Sequence, residues 1–513
     1  MTVHTETGRR FLHVCGWIGA FFLFACGLPA AEATADPLAD IRHLPASNPY
    51  RKTLEQWLSL PPEERATLSS WAGKKGEGQT PVTTLTAEQS ERVASLTASL
   101  LAASRQPNTA VWPLVPSAAE PDNPMAGTLP HVRVVMDLGR LVAKGTESLP
   151  PHDAIQTAAA IAQMGRQMRA KEGAIMDHFL GGALESLATT SMAKRLGEFS
   201  TADLDEMHTA WAALKAALGS DQALRGERDL FFRPFLKQIL KPGLAALLAE
   251  QEGLEETAPA TEGSVGAGLR LTAIINDGQR MIGLEDKAKG RSFFVAEGKT
   301  VNEVTLVSID FKQNRAALRI GDKDAIMDLT SKRIVARQPA ANRLIRMLDM
   351  GGAFSQDPEK SADELISNLV QRIRNRPGGL DGFIQQLESD YDKVLAESLL
   401  WAEQPKTITR SNGFPFEDPL LNALIPNTDI VPRRINQADL TVAMLDAAAS
   451  LRRQELAGQP LQAPPDPWAK DGESLHVERK PDGSFILRSI YESSKGKPVE
   501  YKFAAPDAGL IRR

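Results

Sequence analysis

The sequence predicts a mainly helical α+β protein: a helical body with a small antiparallel β barrel or sandwich inserted into it, and a β hairpin at the C-terminus. Three observations carry that expectation. Apolar residues recur at spacings of three and four over long stretches, as in Leu204, Met207, Trp211, Leu214 and Leu218. Apolar/polar alternation with turn glycines switches on at Leu269 and off before Pro339. Aromatic residues make up only 6% of the 513-residue chain while Ala and Leu are plentiful, a composition that leans helical. The length suits about three domains at roughly 150 residues each. A chain that is 42% hydrophobic and 24% charged fits globular material and excludes wholesale disorder. With 59 basic and 64 acidic residues the formal net charge is -5, which gives no sign of a strongly basic nucleic-acid binder.

Residues 1–35 read as an export signal. Arg9 and Arg10 form a positive start, Phe11 to Leu28 is apolar apart from His13, and Ala33-Thr34-Ala35 offers small residues for cleavage before Asp36. The alternative is an uncleaved anchor, since this stretch is just long enough to span a bilayer. Leu23-Phe24-Ala25-Cys26-Gly27 also resembles a lipobox, in which Cys26 would be lipidated, and Arg9-Arg10 partly fits a twin-arginine signal. Both cysteines, Cys15 and Cys26, lie inside this leader. The rest of the chain therefore has no disulfide framework, thiol nucleophile or Cys-ligated zinc.

Residues 36–130 form an N-terminal helical segment and a connector. Leu54, Trp57, Leu58 and Leu60 cluster ahead of Pro61-Pro62-Glu63, which can start the next helix. Thr86-Ala87-Glu88-Gln89 has the form of a capping box, followed by Val93, Leu96 and Leu100. Six prolines between Pro107 and Pro130 mark an extended strap. Residues 131–252 are the strongest helical block. Met176, Phe179, Leu180, Ala183, Leu184 and Leu187 define one apolar face, and Ser200 is the N-cap of the helix carrying the Leu204–Leu218 seam. That seam suits a bundle core better than a dimeric coiled coil, being under three heptads.

Glu252 to Gly268 reads as a linker, including the glycine-rich Gly263-Ser264-Val265-Gly266-Ala267-Gly268. Residues 267–333 are then a small β domain. Its six expected strands are Leu269–Asn276, Arg280–Leu284, Ser292–Val295, Val304–Asp310, Arg315–Ile320 and Ala325–Leu329, with Asp277-Gly278 as the first turn. Residues 338–456 form a second helical region. Ser361-Ala362-Asp363-Glu364 is a capping box, Pro377-Gly378-Gly379 ends that helix, and Leu380 to Leu395 lines a longer one. Pro405 to Pro432 is irregular, and Leu440, Met444, Ala447 and Leu451 make the last amphipathic helix. Residues 466–505 close the chain: Leu475–Arg479 and Phe485–Ile490 alternate around Pro481-Asp482-Gly483, with Val499–Phe503 as a third strand.

The sequence nominates no catalytic, cofactor-binding or metal-ligating residue. After the leader the histidines are His43, His131, His152, His178, His208 and His476, and no pair has the i, i+4 spacing of a zinc protease. Asp153 beside His152 reads as a first-turn charge on a helix dipole, and His178 and His208 read as packed or surface residues of helices. There is no P-loop, no Gly-x-Ser-x-Gly elbow and no Gly-x-Gly-x-x-Gly after a strand. Acidic pairs such as Asp203 and Glu206, or Glu285 and Asp286, carry no chemistry by themselves. Arg372, Arg374 and Arg376 near a helix end suit the dipole, with an anion or lipid site as the alternative.

Two stretches resemble known families. Residues 269–329 are similar to the small periplasmic β domain of the type II secretion protein C family and of related type IV pilus assembly lipoproteins. The resemblance rests on Leu271-Thr272-Ala273-Ile274-Ile275, on Phe294-Val295-Ala296-Glu297-Gly298 and on Val304–Asp310. It implies binding of partner assembly proteins and no catalysis. The tail, Asp466-Pro467-Trp468 followed by Phe485-Ile486-Leu487-Arg488-Ser489, looks like the C-terminal loop of major pseudopilins. Glu492-Ser493-Ser494-Lys495-Gly496-Lys497 stands where that family has its acidic calcium-binding cluster, so no metal site is carried over.

The expected protein is thus an exported, non-enzymatic scaffold of the periplasm or cell envelope. Its partners are other envelope or secretion proteins, with no nucleic acid, no cofactor, and membrane contact only through the N-terminal segment. Two alternatives are an exported hydrolase assembled from scattered carboxylates and histidines, and a lipoprotein holding a small ligand in its helical body. Val304–Asp310 is the strand best suited to edge binding, its alternative being a central strand paired on both sides.

Overall fold

The computed structural model describes residues 41–73, 82–107, 129–170, 175–214, 218–255, 268–330, 362–405, 430–469 and 472–503, apart from 277, 482, 494 and 495, together with 38, 112, 173, 334–336, 341 and 344. The leader, most of the Pro-rich strap, the linker 256–267, the cap Ser361 and residues 406–429 lie outside the described residues. The chain is mainly helical with three small antiparallel sheets. It divides into two units, each discontinuous in sequence: Met1–Phe232 with Val394–Ser411 and Asn427–Arg513, and Arg233–Lys393 with Asn412–Pro426.

The first unit is a helical bundle faced by a sheet. Helix α1 (Arg51–Ser59) buries Thr53, Leu54, Trp57 and Leu58. Helix α2 (Pro62–Trp71) starts on Pro62, whose missing N–H costs nothing there. The capping box of α3 (Ala87–Ser104) forms: Gln89 N donates to Thr86 Oγ1 at 3.2 Å and Thr86 N to Gln89 Oε1 at 3.0 Å. Helices α4 (His131–Gly145), α5 (Pro151–Arg169) and α6 (Ile175–Arg195) make the centre. Gly165 and Gly181 bring α5 and α6 into backbone contact, since a Cβ on either would run into the other's carbonyl oxygen.

Helix α7 (Thr201–Ala210) begins at Ser200, whose side chain accepts from Asp203 N. The Leu204–Leu218 seam is not one helix. The α-helix ends at Ala210, a 3-10 turn covers Ala212–Leu214, and Leu218 lies beyond it in non-helical chain. Leu204, Met207, Trp211 and Leu214 are buried all the same, because the 3-10 turn keeps Leu214 on the inner side.

The predicted face of α6 is also corrected. Its buried side carries Asp177, His178, Gly181, Leu184, Glu185, Ala188 and Thr189, while Met176, Phe179, Ala183 and Leu187 are only partly covered. Helix α8 (Asp221–Glu227) follows. The last long helix, which belongs to this unit, runs from Ile430 to Leu456, so Pro432 sits in its first turn, where proline is tolerated.

The tail is a three-stranded sheet of order β11-β10-β9: β9 (His476–Arg479), β10 (Phe485–Glu492) and β11 (Pro498–Phe503). Phe485, Leu487, Tyr491, Val499 and Phe503 join the bundle core. Asp466 holds the irregular end of β10. Its Oδ2 accepts from Ile490 N at 2.8 Å and its Oδ1 from the Ser489 hydroxyl at 3.0 Å.

The second unit contains the small β module, with strands at the six expected places and two further short ones, β4 (Thr300–Val301) and β8 (Ile334–Ala336). Strands β1 (Leu269–Asn276), β2 (Arg280–Asp286) and β3 (Arg291–Ala296) form one sheet in that order. Strands β5 (Val304–Asp310), β6 (Arg315–Ile320) and β7 (Lys323–Asp328) form the other, ordered β4-β5-β6-β7-β8. The two sheets share one apolar core of Leu271, Ile282, Leu284, Val295, Val304, Leu306, Ile309, Ala316, Leu318 and Met327. They remain separate sheets, and no closed barrel forms among the described residues.

Helices α9 (Lys241–Glu255) and α10 (Ala362–Arg374) belong to this unit. Helix α11 (Gly379–Ala402) carries the unit boundary at Lys393. No helix among the described residues is long and apolar enough to cross a membrane.

Candidate functional site

Two places carry groups beyond what packing needs, one in each unit. In the bundle, His131 opens α4 and is fully buried. Its Nε2 lies 2.9 Å from Asp177 Oδ1, in the first turn of α6, and its Nδ1 lies 3.0 Å from Nε2 of the half-buried His43. When both rings are neutral, the Asp177 carboxylate accepts from His131 Nε2–H, which leaves His131 Nδ1 to accept the Nε2–H of His43. The remaining nitrogen, His43 Nδ1, is enclosed and has no hydrogen-bond partner among the described residues. Burial and the neighbouring His131 push His43 down to about 4. Asp177 also has the half-buried Glu227 of α8 for a neighbour. Burial raises Glu227 to about 7, against the Ile175 N–H that it accepts at 3.3 Å.

Two turns further along α6, Glu185 is ion-paired with Arg169 from the end of α5, both fully buried. Arg169 also reaches Asp439 Oδ1 at 2.8 Å and the Ile435 carbonyl at 3.2 Å. Asp439 Oδ2 accepts from Leu218 N and Gly219 N, each at 3.1 Å, and Arg166 lies 3.3 Å from Oδ1. Burial raises Glu185 to about 7, against the pull of Arg169. Gly181 makes room for this: a Cβ there would lie 2.6 Å from Arg169 Cγ. Chemically this second cluster is a charge-paired strut between α5, α6 and the helix Ile430–Leu456, with every oxygen of Asp439 engaged.

In the β module the feature that stands out is a surface. Strand β1 has β2 on one side and no strand on its other side among the described residues. Its register slips between Leu271 and Ala273, a bulge at Thr272. Gly283 of β2 faces that bulge. A Cβ there would meet Thr272 Oγ1 at 2.9 Å and Phe294 Cε1 at 3.2 Å, so the Phe294 ring lies across the glycine. Phe294 is nevertheless 60% exposed.

Val304–Asp310, weighed as a binding edge against a central strand, lies between β4 and β6, with β4 pairing only its first residues Val304 and Thr305. A bulge between Leu306 and Ser308 turns Val307 outward at 43% exposure while Ser308, Ile309 and Asp310 are all buried. Strict alternation placed Val307 and Ile309 together. The extra residue separates them.

The other residues singled out in the sequence have local partners. His152 Nδ1 meets Glu206 at 2.7 Å and His208 Nδ1 meets Asp446 at 3.0 Å, both at the surface. Asp203 caps its helix, Glu285 pairs with Arg270, and Asp286 accepts from the amides of Ala288 and Lys289. Arg372 lies over the Phe383 ring and Arg376 bonds Gln386. His476 is exposed on β9, and His178 is buried in α6. No cluster of three or more His, Cys, Asp or Glu side chains able to hold a metal occurs among the described residues.

Sequence reasoning missed the joining of His43, His131 and Asp177. The available signal was His131 at a helix start after a proline, and Asp177 in the first turn of a helix whose next polar residues also turned inward. Comparison with protein-family models, curated proteins and solved structures gave no match.

Proposed function

We propose that this chain is an exported, non-enzymatic envelope protein that serves in assembly, in a secretion or pilus-like system, and holds partner proteins on its small β module. The observation that carries the reading is the open edge of β1 in the same sheet as the exposed Phe294, which stands on β3 with its ring across Gly283 of β2. An unpaired edge on a sheet that also exposes an apolar ring is what a partner strand adds to: main-chain bonds supply affinity and the side chains supply choice. The bulge at Thr272 limits how a strand can approach, which favours one partner over indiscriminate edge-to-edge pairing.

The test compares capture from envelope extract by the whole chain and by Phe294→Asp. Because the ring is mostly outside, the variant should stay folded, and a partner held by the parent should be lost at least tenfold. Equal recovery by both proteins would sink the reading.

A hydrolase is the second reading, and the His43–His131–Asp177 chain is the observation in its favour. It requires His43 Nδ1 to become accessible to a substrate. Hydrolysis that disappears in His131→Gln without loss of fold would select it over the scaffold.

A further inference from the structure

His131 is where two peripheral pieces of the first unit end. One is the N-terminal segment Ile41–Tyr50, through the 3.0 Å contact of His43. The other is Trp112 of the Pro-rich strap, whose ring lies 5.2 Å from that of His131. Tyr50 stacks on Trp112 at 6.4 Å and donates its hydroxyl to Gln167 Oε1 of α5 at 2.8 Å. Ile41, Leu44 and Tyr50 are buried, so the segment closes over the imidazole pair.

We infer that the His43–His131–Asp177 chain is an acid-released latch that keeps the Ile41–Tyr50 segment and Trp112 seated on the bundle. In the neutral chain each proton has an acceptor: His131 Nε2–H faces Asp177 and His43 Nε2–H faces His131 Nδ1. One more proton, taken from water, binds His43 Nδ1. That makes the ring a cation whose new N–H is enclosed and has no acceptor among the described residues. The ring satisfies it by swinging into solvent, which is open to a half-buried side chain and breaks the bond to His131. The ionisable and charged groups around it are His131 from α4, Asp177 behind it from α6, Glu227 of α8 beside Asp177, and Arg42 and Tyr50 on its own segment. The depressed value of His43 agrees with this and fixes the direction. An imidazole below its usual 6.5 when folded gives stability that is full above about pH 6.5 and is lost as the pH falls toward 4.

The test is hydrogen exchange of the whole protein from pH 7 to 4, corrected for the intrinsic rate at each pH. Protection of the Ile41–Tyr50 peptides should fall at least tenfold across that range while peptides of α5 and α6 keep theirs. His43→Gln can still donate to His131 but cannot titrate, and it should hold protection level. Asp177→Ala removes the acceptor that fixes the His131 tautomer and should leave the segment loose at every pH. Unchanged protection in the parent chain would overturn the latch, as would the same acid loss in His43→Gln. Should that variant misfold, the imidazole titration of His43 in the parent decides: a midpoint near 6.5 with the segment still protected also overturns it.

Discussion

The bundle and the β module place their buried charges differently. The bundle takes Arg169, Glu185, Asp439, His131 and Asp177 inside and pairs them. The module joins its two sheets through aliphatic side chains, buries Asp310 and Asp328 only at strand ends, and leaves Phe294 and Val307 in solvent. Buried ion pairs return little net stability, because desolvation offsets attraction. Losing one member is nevertheless costly, so such pairs select one packing among several. An apolar core stabilises without choosing partners, and an exposed aromatic on a sheet with an open edge is a cost in isolation that binding would remove. Under the proposed function, the difference separates a region organised to be one shape from a region organised to be joined.

The strongest way to break that contrast is Arg169→Met. It leaves Glu185 without its cation in a closed site, and we expect a loss of about 3–5 kcal/mol in urea unfolding. Arg169→Met with Glu185→Leu should recover part of it, since the orphan charge is gone. If the single variant were as stable as the parent, the cluster would be no strut.

Ser308→Pro comes next. On an interior strand, proline removes a ladder bond and should cost about 3 kcal/mol or more. The loss should appear in the β module, read as β-type circular dichroism of residues 268–336. A folded module with this proline would mean that the Ser308 N–H carries no ladder bond to β6.

Glu303→Gly is smaller and of opposite sign. Asn302 and Glu303 both have positive φ, 51° and 64°, at the tight turn into β5. A glutamate in that region costs about 1–2 kcal/mol, and glycine relieves it at some loss of chain entropy, for a net gain of up to about 1 kcal/mol in the module's unfolding midpoint. Smallest of all is Phe294→Asp, whose effect on stability should stay within about 0.5 kcal/mol while partner capture collapses.

Much of this fold was legible because its signals are local. Thr86 with Gln89 and Ser200 with Asp203 close their caps within three residues, and the β strands announced themselves by alternation and turn glycines. What was not legible depends on distant partners. An aspartate at position 177 has the same sequence character whether it faces water or a histidine 46 residues earlier. The inner face of α6 was misread for the same reason: the rule that charged residues face out fails when another element supplies the opposite charge. The Val307 bulge escaped because one inserted residue leaves composition unchanged and reverses facing. The seam broke at Ala210 because a spacing of three and four is satisfied equally by an α-helix and by an α-helix ending in a 3-10 turn.

The Arg169–Asp439 bond joins residues 270 positions apart. Bringing such distant points together costs about 5 kcal/mol of chain entropy before any contact rewards it. As the chain emerges from its N-terminus, α5 and α6 can meet through their glycines and Arg169 can find Glu185 long before Asp439 exists. The bundle therefore waits, with one arm of its central cation unfilled, for a helix made 270 residues later. That order predicts a late docking step: in refolding, Asp439→Asn should speed unfolding while leaving the folding rate nearly unchanged. A slowed folding limb would place the closure early instead. In this sense the long-range charge acts as a timer, marking when the last helix has arrived.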